Sequence, residues 1–330
     1  MPLTNTRFLI TGAKGCIGAW IVKNLVERGE RPVILDVDTG AHRLEALLSP
    51  EQMSQIRFVR GDVTSFDELD RCVAQNGITH LLHLAALQVP ACAADPLLGA
   101  RVNVLGTLNI FEVSRKRREQ VQKVVYASSA AVFGPEEFYG GATVQEGAPL
   151  HPGTHYGVFK QCNEGSARVY FLNNGISSVG LRPWAVYGVG RDQGITSGPT
   201  KAVKASVVGQ SYAMKFTGQI DMQYVDDCAR IFLRCAEADL PGARVYTLRG
   251  TVVRIEDFVR TLEEVYPRSR GLIRAEGGHL PIAADLDDSA LTQDLGDVPR
   301  TPLPQGILET IAIFERLQRE GRLDTKDLEQ

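Results

Sequence analysis

A tyrosine four residues ahead of a lysine, Tyr156-Gly157-Val158-Phe159-Lys160, is the stretch of this 330-residue chain best equipped for chemistry. Inside a helix-competent run over 153–174 the spacing puts both side chains on one helix face. A phenol titrates near 10 and is no base at neutral pH, but an ammonium beside it favours the phenolate and draws that value down. The bland alternative is a surface pair, since Tyr-x-x-x-Lys recurs by chance. Two hydroxyls, Ser128 and Ser129, follow directly on the apolar run over 122–127. The carboxyl end of a parallel strand is where open α/β sheets put ligands, although serines there also serve as turn formers.

A second chemical feature lies near the start. The short apolar run Arg7-Phe8-Leu9-Ile10 leads into Thr11-Gly12-Ala13-Lys14-Gly15-Cys16-Ile17-Gly18 and then a helical pattern over 19–28. Strand, glycine-rich turn and helix in that order make a phosphate cradle: glycines allow close backbone approach, and the helix N-terminus supplies free N–H groups. The G-x-x-G-x-x-G spacing differs by one residue from the G-x-G-x-x-G fingerprint, while the structural context is all present. Asp36 ends the next apolar run, over 32–36. A carboxylate there accepts hydrogen bonds from ribose hydroxyls and repels a 2′-phosphate, which favours NAD over NADP. Against this stand a helix-capping role for Asp36 and the nearby cation Arg43.

These residues need a frame, and the chain supplies a β-α rhythm. Further buried strands are expected over 56–59, 78–84, 122–127 and 178–181, with helices over 66–75, 97–118 and 153–174 between them. Asp62 and Val63 follow the third strand, where a small acid could meet an adenine amino group. The fourth strand ends in His83-Leu84-Ala85-Ala86, small residues suited to close approach of a ligand; His83 itself reads as a satisfied core histidine. The helix over 97–118 carries Asn103 and ends in Arg115-Lys116-Arg117-Arg118, cations that complement the helix dipole and face solvent. Beyond about residue 190 the rhythm breaks into a Gly/Pro/Thr-rich loop over 189–200. Helices follow near 201–208, 225–238, 255–266 and 306–320, with weak strands near 212–216 and 244–248. The polar tail over 324–330 should fray.

Composition is that of an ordinary globular protein, 44% hydrophobic and 23% charged. A formal charge of -3 gives no pull toward nucleic acid or anionic membrane, and no apolar run reaches a membrane span. The six cysteines show no C-x-x-C, so neither a metal site nor a disulfide framework is expected. The first strand begins too early to leave room for a signal peptide, and a cytoplasmic location is expected.

Taken together, these motifs resemble the extended short-chain dehydrogenase/reductase superfamily, and within it the NAD-dependent epimerase/dehydratase family. The matching pieces are Thr11-Gly12-x-x-Gly15-x-x-Gly18, Asp36, Asp62-Val63, His83-Leu84-Ala85-Ala86, Asn103 with Gly106-Thr107, Tyr126-Ala127-Ser128-Ser129, Tyr156-x-x-x-Lys160 and Leu181-Arg182-Pro183. They cover about the first 190 residues densely, whereas the C-terminal third matches only through Tyr224-Val225-Asp226-Asp227. The resemblance implies Ser129 as catalytic hydroxyl, Tyr156 as general acid/base, and Lys160 as the cation that lowers the phenol's pKa and holds the nicotinamide ribose. It lays NAD along Gly12, Gly15, Cys16, Ile17, Gly18, Asp36, Asp62, Val63, Leu84, Ala85, Ala86, Asn103, Ala127, Tyr156, Lys160 and Pro183. Substrate contacts are expected from Gln88, Ser128, Ser129, Trp184 and Arg191.

Departures from the family pattern narrow the reaction. Dehydratases carry an acidic pair after the catalytic hydroxyl, and this chain has Ala130 and Ala131. Members acting on nucleotide sugars carry an asparagine and an arginine for the diphosphate where Ala185 and Ile220 stand here. An unactivated sugar, sugar acid or small polyol is therefore expected, oxidised or epimerised at a secondary alcohol. The alternatives are a nucleotide-sugar 4-epimerase and a non-catalytic dinucleotide sensor. The implied fold is a Rossmann-like, doubly wound parallel sheet over 1–186 with a smaller mixed lobe over 187–330, of which about 225–250 returns to the sheet. By the same resemblance the helices over 97–118 and 153–174 build a four-helix homodimer interface.

Overall fold

The computed structural model describes residues 6–37 and 40–329. β1 (Phe8–Thr11), β2 (Val33–Asp36), β3 (Arg57–Arg60), β4 (His80–His83), β5 (Lys123–Ala127) and β6 (Ser178–Arg182) alternate with helices. β7 (Ala185–Tyr187), β8 (Tyr212–Met214), β9 (Gln219–Tyr224), β10 (Ala243–Thr247), β11 (Thr251–Arg254) and β12 (Ile273–Ala275) follow. The main sheet has the order β10-β6-β5-β4-β1-β2-β3, with every pairing parallel. Strand order reverses between β1 and β4, and the crevice at such a switch point is the general ligand site of open α/β sheets.

The central strands read as unbroken apolar runs because both of their faces are covered. Along β1, Leu9 joins one core and Phe8 and Ile10 the other; along β5, Val124 and Tyr126 face one way and Val125 the other. Helices Cys16–Glu27 and Val225–Glu237 cover the face of Phe8, Ile10 and Val125, and Phe66–Gln75 and Gly106–Lys116 that of Leu9, Val124 and Tyr126. β10 pairs in register with β6, Tyr246 beside Leu181, so the chain comes back to the main sheet after leaving it. The smaller lobe holds a mixed sheet, β11-β9-β7, and the pair β12-β8.

Three expectations are corrected. The helix over 97–118 starts at Pro96 and is interrupted by a π-helical segment, Arg101–Leu105, before resuming at Gly106–Lys116. Asn163 Nδ2 and Thr107 Oγ1 both donate to the Asn103 carbonyl, at 2.9 and 2.8 Å, and such competing donors locally widen a helix. The tail is pinned: Lys204 Nζ donates to the Asp324 carbonyl at 3.0 Å and to Asp327 Oδ1 at 2.7 Å, and Leu328 is buried. Gln330 lies outside the described residues. The basic run is only partly solvated, because Lys116 and Arg117 both pair with Asp70.

Candidate active site

The glycine loop forms by close packing of backbone on backbone. Gly12 has φ +68, and a Cβ there would come within 2.5 Å of the Ala85 nitrogen. A Cβ on Gly18 would lie 2.4 Å from the Gly12 carbonyl oxygen. Each glycine thus stands where a side chain has no room. Helix Cys16–Glu27 begins three residues earlier than its apolar pattern, with Gly15 as N-cap and no side chain capping it. Its first-turn N–H groups remain available to an anion, and the helix dipole favours one. This cradle fits a dinucleotide diphosphate. Burial pushes the Cys16 thiol up to about 12, so the sulfur is a neutral part of the wall.

A contact between two backbones brings the hydroxyls together. A Cβ on Gly157 would meet the Ala131 carbonyl at 2.2 Å, so helix His155–Asn174 rides directly on the turn that follows Ser129. Thr154 Oγ1 caps the helix by accepting from Gly157 N at 3.1 Å. Across this junction the Ser129 hydroxyl draws the Tyr156 phenol down, while its oxygen accepts from Ala131 N at 3.1 Å. Lys160 Nζ donates to the Ala127 carbonyl at 2.6 Å and stands 5.5 Å from the centroid of the Tyr156 ring.

The electrostatics differ from the sequence reading. Burial pushes the Tyr156 phenol up; the Ser129 hydroxyl and the Arg191 guanidinium pull it back. The Lys160 ammonium, turned to the Ala127 carbonyl, is itself pushed down to about 8 by burial. His83 is a core residue as read: Thr11 Oγ1 and Thr107 Oγ1 lie 2.7 and 3.1 Å from its two ring nitrogens. Burial, reinforced by Lys160, depresses it to about 3.

One cavity of about 300 Å³ gathers most of the residues singled out above. Gly12, Gly15, Cys16, Ile17 and Gly18 form its cradle; Leu84, Ala86, Ala127 and Pro183 its floor at the strand ends. Ser128, Ser129, Tyr156, Lys160, Gln88, Trp184 and Arg191 line the remainder. Five others lie off the wall. Ala85 backs Gly12, and Val63 is buried against Gly106. Asn103 is buried, its amide clamping the Leu87 backbone at 2.7 and 2.9 Å. Asp62 accepts from Thr64 N at 2.8 Å, and Asp36 is the half-buried end of β2.

Two of the expected substrate groups are otherwise engaged. The Ser128 hydroxyl donates to Glu164 Oε1 at 2.5 Å, and Arg182 grips the same carboxylate at 2.8 and 2.7 Å. This hydroxyl is held inside a buried ion pair, leaving Ser129 as the one free to face a ligand. Trp184 Nε1 donates to the Ala283 carbonyl at 2.8 Å, so only its ring addresses the cavity. Arg191 Nη2 donates to Thr196 Oγ1 at 2.8 Å, while its Nε is buried with no partner. Arg43 is taken up by Asp192, at 3.0 and 2.6 Å, and by the Lys14 carbonyl at 2.9 Å. The sequence reading missed Phe133 and the tripeptide Leu280-Pro281-Ile282, which closes the cavity from the smaller lobe. Its one signal was three apolar residues inside an otherwise polar stretch.

The model of the NAD dependent epimerase/dehydratase family matches residues 8–248. The UDP-glucose 4-epimerase of Mycolicibacterium smegmatis is 28% identical over 318 residues, covering 93% of this chain and 98% of that protein. Among solved structures, MoeE5 in complex with UDP-glucose and NAD superposes with TM-score 0.78 at 25% identity, over 94% of this chain and 99% of the other. The GalE-like L-threonine dehydrogenase from Cupriavidus necator gives TM-score 0.79 at 24% identity, over 93% and 99%. With the glycine cradle, the uncapped helix terminus and the matched span in agreement, the chain belongs to the NAD-dependent epimerase/dehydratase family, and NAD is its cofactor.

Proposed function

We propose that this protein oxidises a secondary alcohol on a small unactivated sugar, sugar acid or related polyol by hydride transfer, ending in dehydrogenation or in epimerisation. The observation that carries this reading is the Ser129–Tyr156 hydroxyl pair opening on the cavity with Lys160 beside it. NAD, when bound, supplies the acceptor for the hydride. Ser129 orients the substrate hydroxyl, and Tyr156 takes its proton as the carbon gives up hydride. Lys160 holds the ribose side of the cofactor site and fixes the strand end through Ala127.

Small substrates are favoured by what stands at the two diphosphate positions. Ala185 and Ile220 are each 1% exposed and lie within β7 and β9, so neither offers a donor to a ligand. A charge-assisted contact is worth about 1.5–3 kcal/mol, and a nucleotide diphosphate would forgo it here. The names of the relatives favour a second reading, a UDP-sugar 4-epimerase. A panel of free sugars, aldonates, uronates and nucleotide sugars, scored for both NADH and epimer, separates the two. Tyr156→Phe should lower turnover at least about a thousandfold with NAD affinity unchanged, since the phenol's proton transfer is lost but not the cradle. Substantial residual activity in that variant would remove Tyr156 from the reaction.

We also propose a cytoplasmic homodimer. Leu97, Leu105, Val158, Val169 and Leu172 lie exposed on the two helical runs expected to form a four-helix interface, Leu97 at 80% and Leu172 at 71%. Apolar surface gathered in this way is characteristic of association sites.

A further inference from the structure

Resting on the hydride-transfer reading above, we infer that the substrate is a free hydroxy acid anchored by its carboxylate on Arg191, and that amino-acid zwitterions, neutral sugars and nucleotide sugars are refused. The charge inventory of the cavity wall leads there. Among the described residues that line it, the only cations are Lys160 and Arg191, and none is an Asp or Glu. Lys160 is committed to the Ala127 carbonyl. The neighbouring acid Asp192 is held through both oxygens by Arg43, so it does not neutralise Arg191.

Arg191 is also incompletely satisfied. Thr196 fixes one end of the guanidinium, while the Nε–H is buried without an acceptor. A buried donor left in this state is costly, so the guanidinium is poorly compensated where it stands, and a charged acceptor on its cavity-facing N–H groups offsets that best. Guanidinium edges match carboxylates in shape as well as charge. Arg191 and Tyr156 line the same cavity, so an anion held at one and an alcohol reacting at the other can belong to one small molecule.

The remainder of the substrate end selects against the other classes. Phe133, Trp184, Leu280 and Ile282 present apolar surface, and the indole N–H of Trp184 is already engaged. An ammonium group placed against that wall would find no carboxylate, and burying an unpaired charge is strongly unfavourable. This separates the site from one made for an amino acid. A neutral sugar offers Arg191 only uncharged hydroxyl acceptors, a weaker match than the two oxygens of a carboxylate.

An anionic oxygen for Arg191 could also come from the cofactor's diphosphate, and the experiment must tell the two sources apart. Binding of 3-hydroxybutyrate, gluconate and glucuronate to the NAD-loaded protein is measured by calorimetry beside their methyl esters, glucose, L-threonine and UDP-glucose. NAD affinity is measured separately on wild type and Arg191→Gln. At least one carboxylate should bind tenfold or more tightly than its ester and lose that margin in Arg191→Gln, whose NAD affinity stays within twofold. A panel in which no carboxylate exceeds its ester overturns the inference, as does tighter binding of L-threonine or UDP-glucose. A tenfold loss of NAD affinity in Arg191→Gln gives the guanidinium to the cofactor instead. None of these outcomes touches the Tyr156→Phe result, which tests hydride transfer on its own.

Discussion

The Lys160 ammonium stands over the face of the Tyr156 ring, 5.5 Å from its centroid, and donates to the Ala127 carbonyl. One turn of helix brings the two residues together, while Ser129 and Arg191 draw the phenol's pKa down from outside the helix. Removing either should therefore raise the Tyr156 pKa. In the proposed reaction the phenolate is the active base, so the acid limb of kcat/KM should move to higher pH in Ser129→Ala and in Arg191→Gln. A displacement of about half a unit to one unit corresponds to roughly 0.7–1.4 kcal/mol of lost phenolate stabilisation. Profiles that superimpose on wild type would show that neither group acts on Tyr156.

Lys160 carries a stability signature distinct from its chemical role. Its folded value of about 8 lies below the ordinary 10.5, so between these values the unfolded chain binds more protons than the folded one. The cost of holding the buried ammonium is full below about pH 8 and is relieved as pH rises toward 10.5. Lys160→Met lacks this term. Wild type should gain on the variant by up to ~1.4 kcal/mol per pH unit within that window, read as the difference between their urea midpoints at pH 7.5 and 10. A constant difference would mean that the ammonium is not desolvated.

His83 gives the same sign in a lower pH window. Its folded value of about 3 lies below the ordinary 6.5, so its contribution is full above about 6.5 and is lost as pH falls toward 3. His83→Leu deletes the ring's hydrogen bonds with Thr11 and Thr107 and should cost about 1–3 kcal/mol at pH 7. That gap should narrow on acidification, because the variant has no imidazole to protonate. Denaturant titrations at pH 7 and 5 read both effects, and a gap that widens in acid would contradict them.

Much of the architecture was legible because its signals are local. Apolar runs of four or five residues, each followed by a helix, dictate a covered parallel sheet, and the glycine spacing announces the close approach of Gly12 to Ala85. Readings failed where a distant residue decides. Ser128 and Ser129 are equivalent in sequence, and Glu164 on the following helix captures the first of them. β9 was hidden by two polar residues in its interior, Asp221 and Gln223, which satisfy one another at 2.7 Å. Leu280-Pro281-Ile282 reaches the cavity only through the packing of the smaller lobe.

The proposed dimer makes a separate prediction. Leu97 and Leu172 are exposed, so Leu97→Glu with Leu172→Glu should leave monomer stability within about 0.5 kcal/mol per site. In a four-helix interface each charge would be buried against its symmetry mate. Light scattering at micromolar concentration should give twice the chain mass for wild type and the single-chain mass for the double variant. A wild-type protein that is monomeric in that range would dismiss the interface.

If Asp36 meets the ribose as proposed, cofactor choice should depend on two carboxylates rather than one. Asp36 ends β2, where it can receive ribose hydroxyls, while Asp192 keeps both its oxygens on Arg43, the cation that could otherwise meet a 2′-phosphate. Asp36→Ala should weaken NAD about tenfold, the loss of one charge-assisted hydrogen bond, and narrow the NAD/NADP ratio only by that amount. NADP itself should gain little while Arg43 stays held. Adding Asp192→Asn removes the charge that restrains the guanidinium, and NADP affinity should then rise about tenfold over the single variant. Fluorescence titration of both dinucleotides against the three proteins decides the matter. An unchanged ratio in Asp36→Ala removes that residue from the ribose site, and equal NADP binding in the single and double variants clears Asp192 of any part in the discrimination.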